Sequence, residues 1–175
     1  MVGVEVVKED PWHGMGWGLV VRFLVLLVLL NGFYIAEKRL SGRFLDLPYT
    51  SLVTWTAARA GEALLSIPVI QRGPITLGSD YAAVVIRAGC NGLEVVFLLL
   101  AGLLAFPASW QQRGRALILY LPLLFVFNVF RVLMLLFVMT KYPAHIDLFH
   151  YQIGQGIMVI LVMTFWVHYV HKADS

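Results

Sequence analysis

Long apolar runs separated by short polar breaks predict helices over 18–36, 47–67, 93–106, 116–139 and 151–169. The first, fourth and fifth runs are long enough to cross a hydrocarbon core of about 30 Å. The third holds one charge, Glu94, and ends at Pro107; with Asn91 and Gly92 it is just long enough to cross. The second is diluted by Thr50, Ser51, Thr54, Thr56, Arg59 and Glu62. It is read as a crossing helix with its polar face toward its neighbours, the alternative being an amphipathic helix lying in the interface. Arg59 and Glu62 are three apart, so they share a helix face and can pair.

Between the second and third runs the pattern changes. Arg72-Gly73-Pro74 is turn chemistry. Ile75, Leu77 and then Ala82 to Ile86 read as two short strands around Gly78-Ser79-Asp80. A small hairpin over 71–86, outside the membrane, leads straight into Cys90. Residues 1–16 form a tail, expected to be mobile, with mixed charge, Pro11 and three glycines.

Composition raises this from a helical protein to a membrane one. Of 175 residues, 60% are hydrophobic and 13% charged, more apolar residue than a soluble domain of this size can hide. The expected fold is an all-α integral membrane bundle in a single domain, 1–175. It has about five transmembrane helices and a small extracytoplasmic β-hairpin-like insertion. The net charge of +3 is spread over short loops, so it reads as positive-inside bias and not as a nucleic-acid surface. Glu37-Lys38-Arg39 with Arg43, the pair Arg113 and Arg115, and His171-Lys172 then mark cytoplasmic loops. That predicts the tail outside, five crossings and the C-terminus inside. The first run has an acidic flank and is too long for a signal-peptide core, so it is expected to remain as an anchor.

This topology brings three out-of-place residues to one depth. Cys90, the only cysteine, lies at the outer start of the third helix and His150 at the outer start of the fifth. Arg131 lies in the outer half of the fourth, roughly ten ångströms below its end at about 1.5 Å per residue, and can snorkel upward. A charge at mid-span costs at least about 2.5–3.5 kcal/mol. Function therefore competes with a structural ion pair to Glu94 or Glu62. Asn128 lies one turn before Arg131 on the same face. A lone cysteine is more often a packing residue or a palmitoylation site. Here Gly89 and Gly92 flank it, and freed N–H groups at a helix start together with Arg131 would favour the thiolate. His145 is the substitute for His150; a metal or haem site is poorly supported, and no cofactor is expected. A thiol, an imidazole and a guanidinium together make an acyl-transfer set.

Gly-Cys-Asn-Gly-Leu at 89–93, Asn128-Val-Phe-Arg131, and Phe149-His150 with Gly154 beyond resemble the exosortase/archaeosortase family of membrane cysteine transpeptidases. The likeness covers about residues 47–169, closest to compact exosortase H-like members; Asn91 stands where serine is common, and extra N-terminal helices are lacking. The resemblance implies an enzyme of a prokaryotic inner membrane with its site at the extracytoplasmic face. Its partners would be membrane-anchored proteins bearing a C-terminal sorting signal: a motif, a transmembrane helix and a basic tail. Cys90 would be the nucleophile, His150 the acid and base, and Arg131 the oxyanion or thiolate stabiliser, with Asn128, Asn91 and Gly92 in support. The hairpin could serve as a recognition edge by strand addition. The alternatives are an intramembrane cysteine hydrolase without transfer, and a non-catalytic assembly subunit.

Overall fold

A computed structural model describes residues 16–64, 69–87 and 89–173. The expected tail therefore lies outside the described residues, save Gly16, which opens the first helix. Helix α1 runs Gly16–Leu40 and α2 runs Asp46–Leu64. Three short strands follow, β1 (Ile70–Gln71), β2 (Thr76–Gly78) and β3 (Ala83–Val85). Then come α3 (Leu93–Ala105), α4 (Trp110–Lys141), a π-helical segment Leu148–Gly154, and α5 (Gln155–Ala173).

The helix limits follow from local chemistry. α3 stops at Phe106, whose extended backbone (φ −70°, ψ 133°) is what a residue before proline prefers. α4 opens on a capping box: the Ser109 side chain accepts from the Gln112 N–H while Gln112 reaches back to the Ser109 N–H. α2 is capped from another helix. Glu37, buried near the end of α1, accepts from the N–H groups of Phe44 and Leu45 at 2.9 and 3.2 Å. Those two lie in the turn just before α2; the N–H of Asp46, which opens the helix and is left free by it, donates more distantly to the same carboxylate at 3.4 Å.

Three segments are long and apolar enough to cross a membrane: Gly16–Leu40, Trp110–Lys141 and Leu148–Ala173. Leu93–Ala105 is a shorter apolar helix. On α1, Val21, Leu24, Val28 and Leu29 are all at least half exposed, an apolar surface suited to a lipid solvent. The chain is thus the helical membrane bundle expected, but α2 is not among the segments fit to cross. Its polar residues explain this. Tyr49 packs edge-on against Phe125 (6.2 Å between centroids), and a Cβ on Gly61 would meet Leu133 at 2.8 Å. α2 therefore lies along the second half of α4, within the part that leads away from the Arg113 end.

α1 and α3 are antiparallel. Tyr34 meets Phe97 near the start of α3, while Leu19, Leu98, Gly102 and Trp166 line one pocket at the other end. This corrects the expected topology. The turn after α1, with Lys38, Arg39 and Arg43, sits at the Cys90 end of the bundle and not opposite it. The side-chain amide of Asn91 donates to Asp46 at 2.9 Å and to Thr50 at 3.0 Å, which fixes the shared depth.

The insertion before α3 is an antiparallel sheet in the order β1-β2-β3. Leu77 faces Val84 and Gly78 faces Ala83, as the expected hairpin requires. The strand β1, paired Ile70 to Gly78, was not expected. Leu77 and Ile86 are fully buried with Val53, Ala57, Val132 and Leu136, so the sheet, α2 and the later half of α4 share one core. A second core joins α3, α4 and α5 through Leu99, Leu103, Leu124 and Val162.

Candidate active site

The turn carrying Cys90 joins β3 to α3. The N–H groups of Cys90 and Asn91 both donate to the Arg87 carbonyl, at 2.8 and 3.0 Å. α3 begins only at Leu93, whose N–H donates to the Asn91 side-chain oxygen at 3.2 Å. Asn91 thus does the work of the missing cap, since Gly92 at the N-cap has no side chain. Its amide nitrogen spans to the other helices, donating to Asp46 and Thr50, and more distantly to the Tyr34 hydroxyl at 3.3 Å. Tyr34 in turn donates to Asp46 at 2.6 Å. The expected supporting residue Asn91 is therefore an anchor between the Cys90 turn, α1 and α2.

Gly92 is required for two reasons. Its φ is +87°, and a Cβ there would lie 2.7 Å from the Asn128 side chain. That close approach lets the Asn128 amide donate to the Asn91 carbonyl at 2.6 Å. Asn128 is buried, so α4 grips the turn from below.

Arg131 is buried. Its Nη2 donates to the Gly89 carbonyl at 3.0 Å, to the Gln155 side-chain oxygen at 2.9 Å, and to the His150 carbonyl at 3.5 Å. One guanidinium nitrogen therefore bridges the residue before Cys90 and the segment holding His150. The alternative of an ion pair does not occur: Glu94 accepts the Gly89 N–H at 2.8 Å, and Glu62 pairs with Arg59 at 3.5 Å on the surface. That pair is the one expected from the spacing, and an exposed pair contributes little. Arg131 Nε and Nη1, Asn128 Oδ1 and His150 Nδ1 are buried and without hydrogen-bond partners. Unpaired buried polar groups are costly, and they concentrate here.

His150 lies in the π-helical segment, a distortion frequent at functional sites. Gly154 closes it. A Cβ there would come within 2.8 Å of the Phe149 carbonyl and 2.9 Å of Arg131 Nε. Cys90 and His150 line one cleft of about 210 Å³, with β3 as one wall and Leu135, Met139 and Ile146 as the others. Arg131 stands behind that cleft, not in it. His145 is exposed in a separate turn and does not line it.

Burial pushes the Cys90 thiol up from its usual value, and the nearby Glu94 carboxylate adds to that; Arg131 pulls it down by less. This reverses the expectation of a thiolate favoured at a helix start. Cys90 precedes the helix by three residues, and its own N–H is already spent on Arg87. A thiol in this setting needs a base, and His150 is the one that shares its cleft.

Sequence reasoning missed Tyr34, Glu37, Asp46, Thr50 and Gln155, and took Glu94 only as an ion-pair partner for Arg131, whereas it accepts from the Gly89 N–H. Glu37 looked like part of a loop charge cluster. Gln155 did carry a signal, a polar residue inside an apolar run five positions after His150. Among the described residues there is no group of His, Cys, Asp or Glu able to hold a metal ion.

Fold and site define an integral membrane protein with a buried thiol and an imidazole in one cleft. The sequence matches the transmembrane exosortase family over residues 11–167, and the chain belongs to that family. Membership supports a membrane transpeptidase-like role. Comparison with curated proteins and with solved structures finds no match.

Proposed function

We propose that this exosortase is a cysteine transpeptidase that cleaves C-terminal sorting signals of membrane-anchored envelope proteins. The observation that carries the reading is the bridge made by Arg131. It ties the carbonyl before Cys90 to that of His150, while both of those side chains line one cleft.

In this mechanism His150 takes the thiol proton as the Cys90 sulfur attacks the scissile carbonyl carbon. A carbon–sulfur bond forms, the carbon–nitrogen bond breaks, and His150 returns the proton to the departing amine. The thioester is then resolved by an acceptor amine, or by water, with His150 again taking the proton. Arg131 supplies a fixed positive charge that favours the thiolate, and holds the two segments together. A membrane-anchored substrate is confined to the plane of the site, which raises its effective concentration. The reading takes the outer face of a prokaryotic inner membrane for the Cys90 end from the family resemblance; Arg113, Arg115 and Lys172 then lie on the cytoplasmic side, while Lys38, Arg39 and Arg43 lie outside, against the positive-inside bias.

The test is processing of signal-bearing precursors in cells. Cys90→Ala and His150→Ala should each abolish it while the protein stays in the membrane. Full processing by Cys90→Ala would overturn the reading. Mass spectrometry of the product's new C-terminus separates transfer, which leaves an added acceptor, from hydrolysis, which leaves a free carboxylate.

A further inference from the structure

The strand β3 is an edge. In the sheet it pairs only with β2. The Ser79 N–H donates to the Ala82 carbonyl and the Ile86 N–H to the Ile75 carbonyl, both at 2.7 Å. With Leu77 opposite Val84, residues 82, 84 and 86 turn their main-chain groups toward β2. In an antiparallel ladder the residues between them turn theirs away. The N–H and C=O groups of Ala83 and Val85 therefore face outward. Among the described residues, no other strand covers them.

Those residues also form a wall of the cleft that holds Cys90 and His150. The same strand feeds, through Ile86 and Arg87, into the Cys90 turn. A row of main-chain donors and acceptors thus runs up to the nucleophile. Its repeat, every second residue, is that of an extended peptide. A lipid chain would leave these groups unsatisfied, and so would a helix, whose own main chain is already paired. An extended peptide satisfies them whatever its side chains, and it must lie here if its carbonyl is to reach Cys90.

We infer that the peptide segment flanking the scissile bond binds in extended form as a fourth strand, on the free edge of β3 at Ala83 and Val85. This rests on the proposed transpeptidase reading and specifies how its substrate is held. Recognition is then divided: the main chain supplies affinity, and alternate side chains enter the apolar cleft beside Leu135 and Met139.

The test uses the full chain in its own membrane, with a precursor bearing a C-terminal sorting signal. In a Cys90→Ala background, Val85→Cys supplies one thiol, and single cysteines are walked through the residues around the precursor's cleavage site. Cross-strand neighbours lie on one face, so oxidation should give disulfides at alternate positions only. Disulfides at consecutive positions, at helical spacing, or none at all, would overturn the inference. In the otherwise native protein, Val85→Pro removes an outward N–H without touching the β2 ladder. It should lower processing about tenfold, the effect of one lost main-chain hydrogen bond. Val85→Ala trims the cleft wall but keeps the N–H, so it should lower processing clearly less than Val85→Pro; equal losses in the two would overturn the inference. Full activity in Val85→Pro overturns the inference while leaving the transpeptidase reading intact. If Cys90→Ala does not stop processing, both fall. Should the proline variant fail to accumulate, the disulfide pattern still decides.

Discussion

Arg131 Nη2 lies 3.0 Å from the carbonyl oxygen of Gly89, the residue directly before the nucleophile candidate Cys90. The contact brings a buried cation to a thiol that burial otherwise keeps protonated. Removing the charge should therefore raise the thiol pKa further. Cys90 is the only cysteine, so its alkylation by iodoacetamide reports this directly. Alkylation rises with pH as the thiol ionises. In Arg131→Gln that rise should move to higher pH by about one unit, slowing the reaction at pH 8 about tenfold. An unmoved profile would show that Arg131 does not act on the thiol. Arg131→Lys keeps a charge but not the planar fork, and should recover part of the alkylation profile while still failing in processing.

Asn91 is the second brace. Its side chain donates to Asp46 and Thr50 and accepts from the Leu93 N–H. Asn91→Ala takes a donor from the buried Thr50 hydroxyl and from the half-buried Asp46 carboxylate, and uncaps α3. Each unsatisfied buried group costs about 1–3 kcal/mol, so the variant should unfold at clearly lower temperature in detergent. Thr50→Val removes one partner and replaces its hydroxyl with a methyl, and should cost less. Equal stability of Asn91→Ala and the parent would mean that the network contributes nothing.

The same network shows what was legible in the sequence. Cys90, Asn128, Arg131 and His150 stood out because each is polar or reactive in an apolar run, and the fold brings all four to one end of the bundle. The hairpin was legible because Gly78-Ser79-Asp80 separates two β-patterned runs. The position of the 37–43 cations was not. Its charge pattern reads as a loop on the face opposite Cys90, but Glu37 is buried as a cap for α2, and Asp46 is tied to Asn91. Both contacts are long-range pairings between polar residues, and periodicity carries no trace of those. A strand of two residues such as β1 is likewise too short to leave a pattern.

Gly92 isolates the cost of close approach. Gly92→Ala meets both a left-handed backbone and the Asn128 side chain at 2.7 Å, whereas a Cβ on Gly73, at φ +82°, would have nothing within 4 Å. Gly73→Ala should lose only the conformational preference, about 1–2 kcal/mol for a left-handed backbone. Gly92→Ala should lose that and displace Asn128 from the Asn91 carbonyl, with processing falling much further than stability. Thermal unfolding and processing measured on both variants check this. Indistinguishable behaviour of the two would show that the Gly92–Asn128 contact is dispensable.

The sidedness of α2 gives the last prediction. If all five helices crossed, Arg43 and Lys141 would face opposite sides of the membrane. With Asp46 joined to Asn91, they face the same side, and Gln111 at the start of α4 faces the other. All three residues are exposed. In a Cys90→Ala background, Arg43→Cys, Lys141→Cys and Gln111→Cys each supply one thiol. A membrane-impermeant maleimide added to intact cells should label the first two alike and the third oppositely. The proposed outer site further requires that the labelled pair be Arg43→Cys and Lys141→Cys. Labelling of Gln111→Cys alone would keep the fold and invert the bundle, moving the Cys90 cleft to the cytoplasmic face. Opposite labelling of Arg43→Cys and Lys141→Cys would restore α2 as a crossing helix, and would break the Asn91–Asp46 contact on which the site's geometry depends.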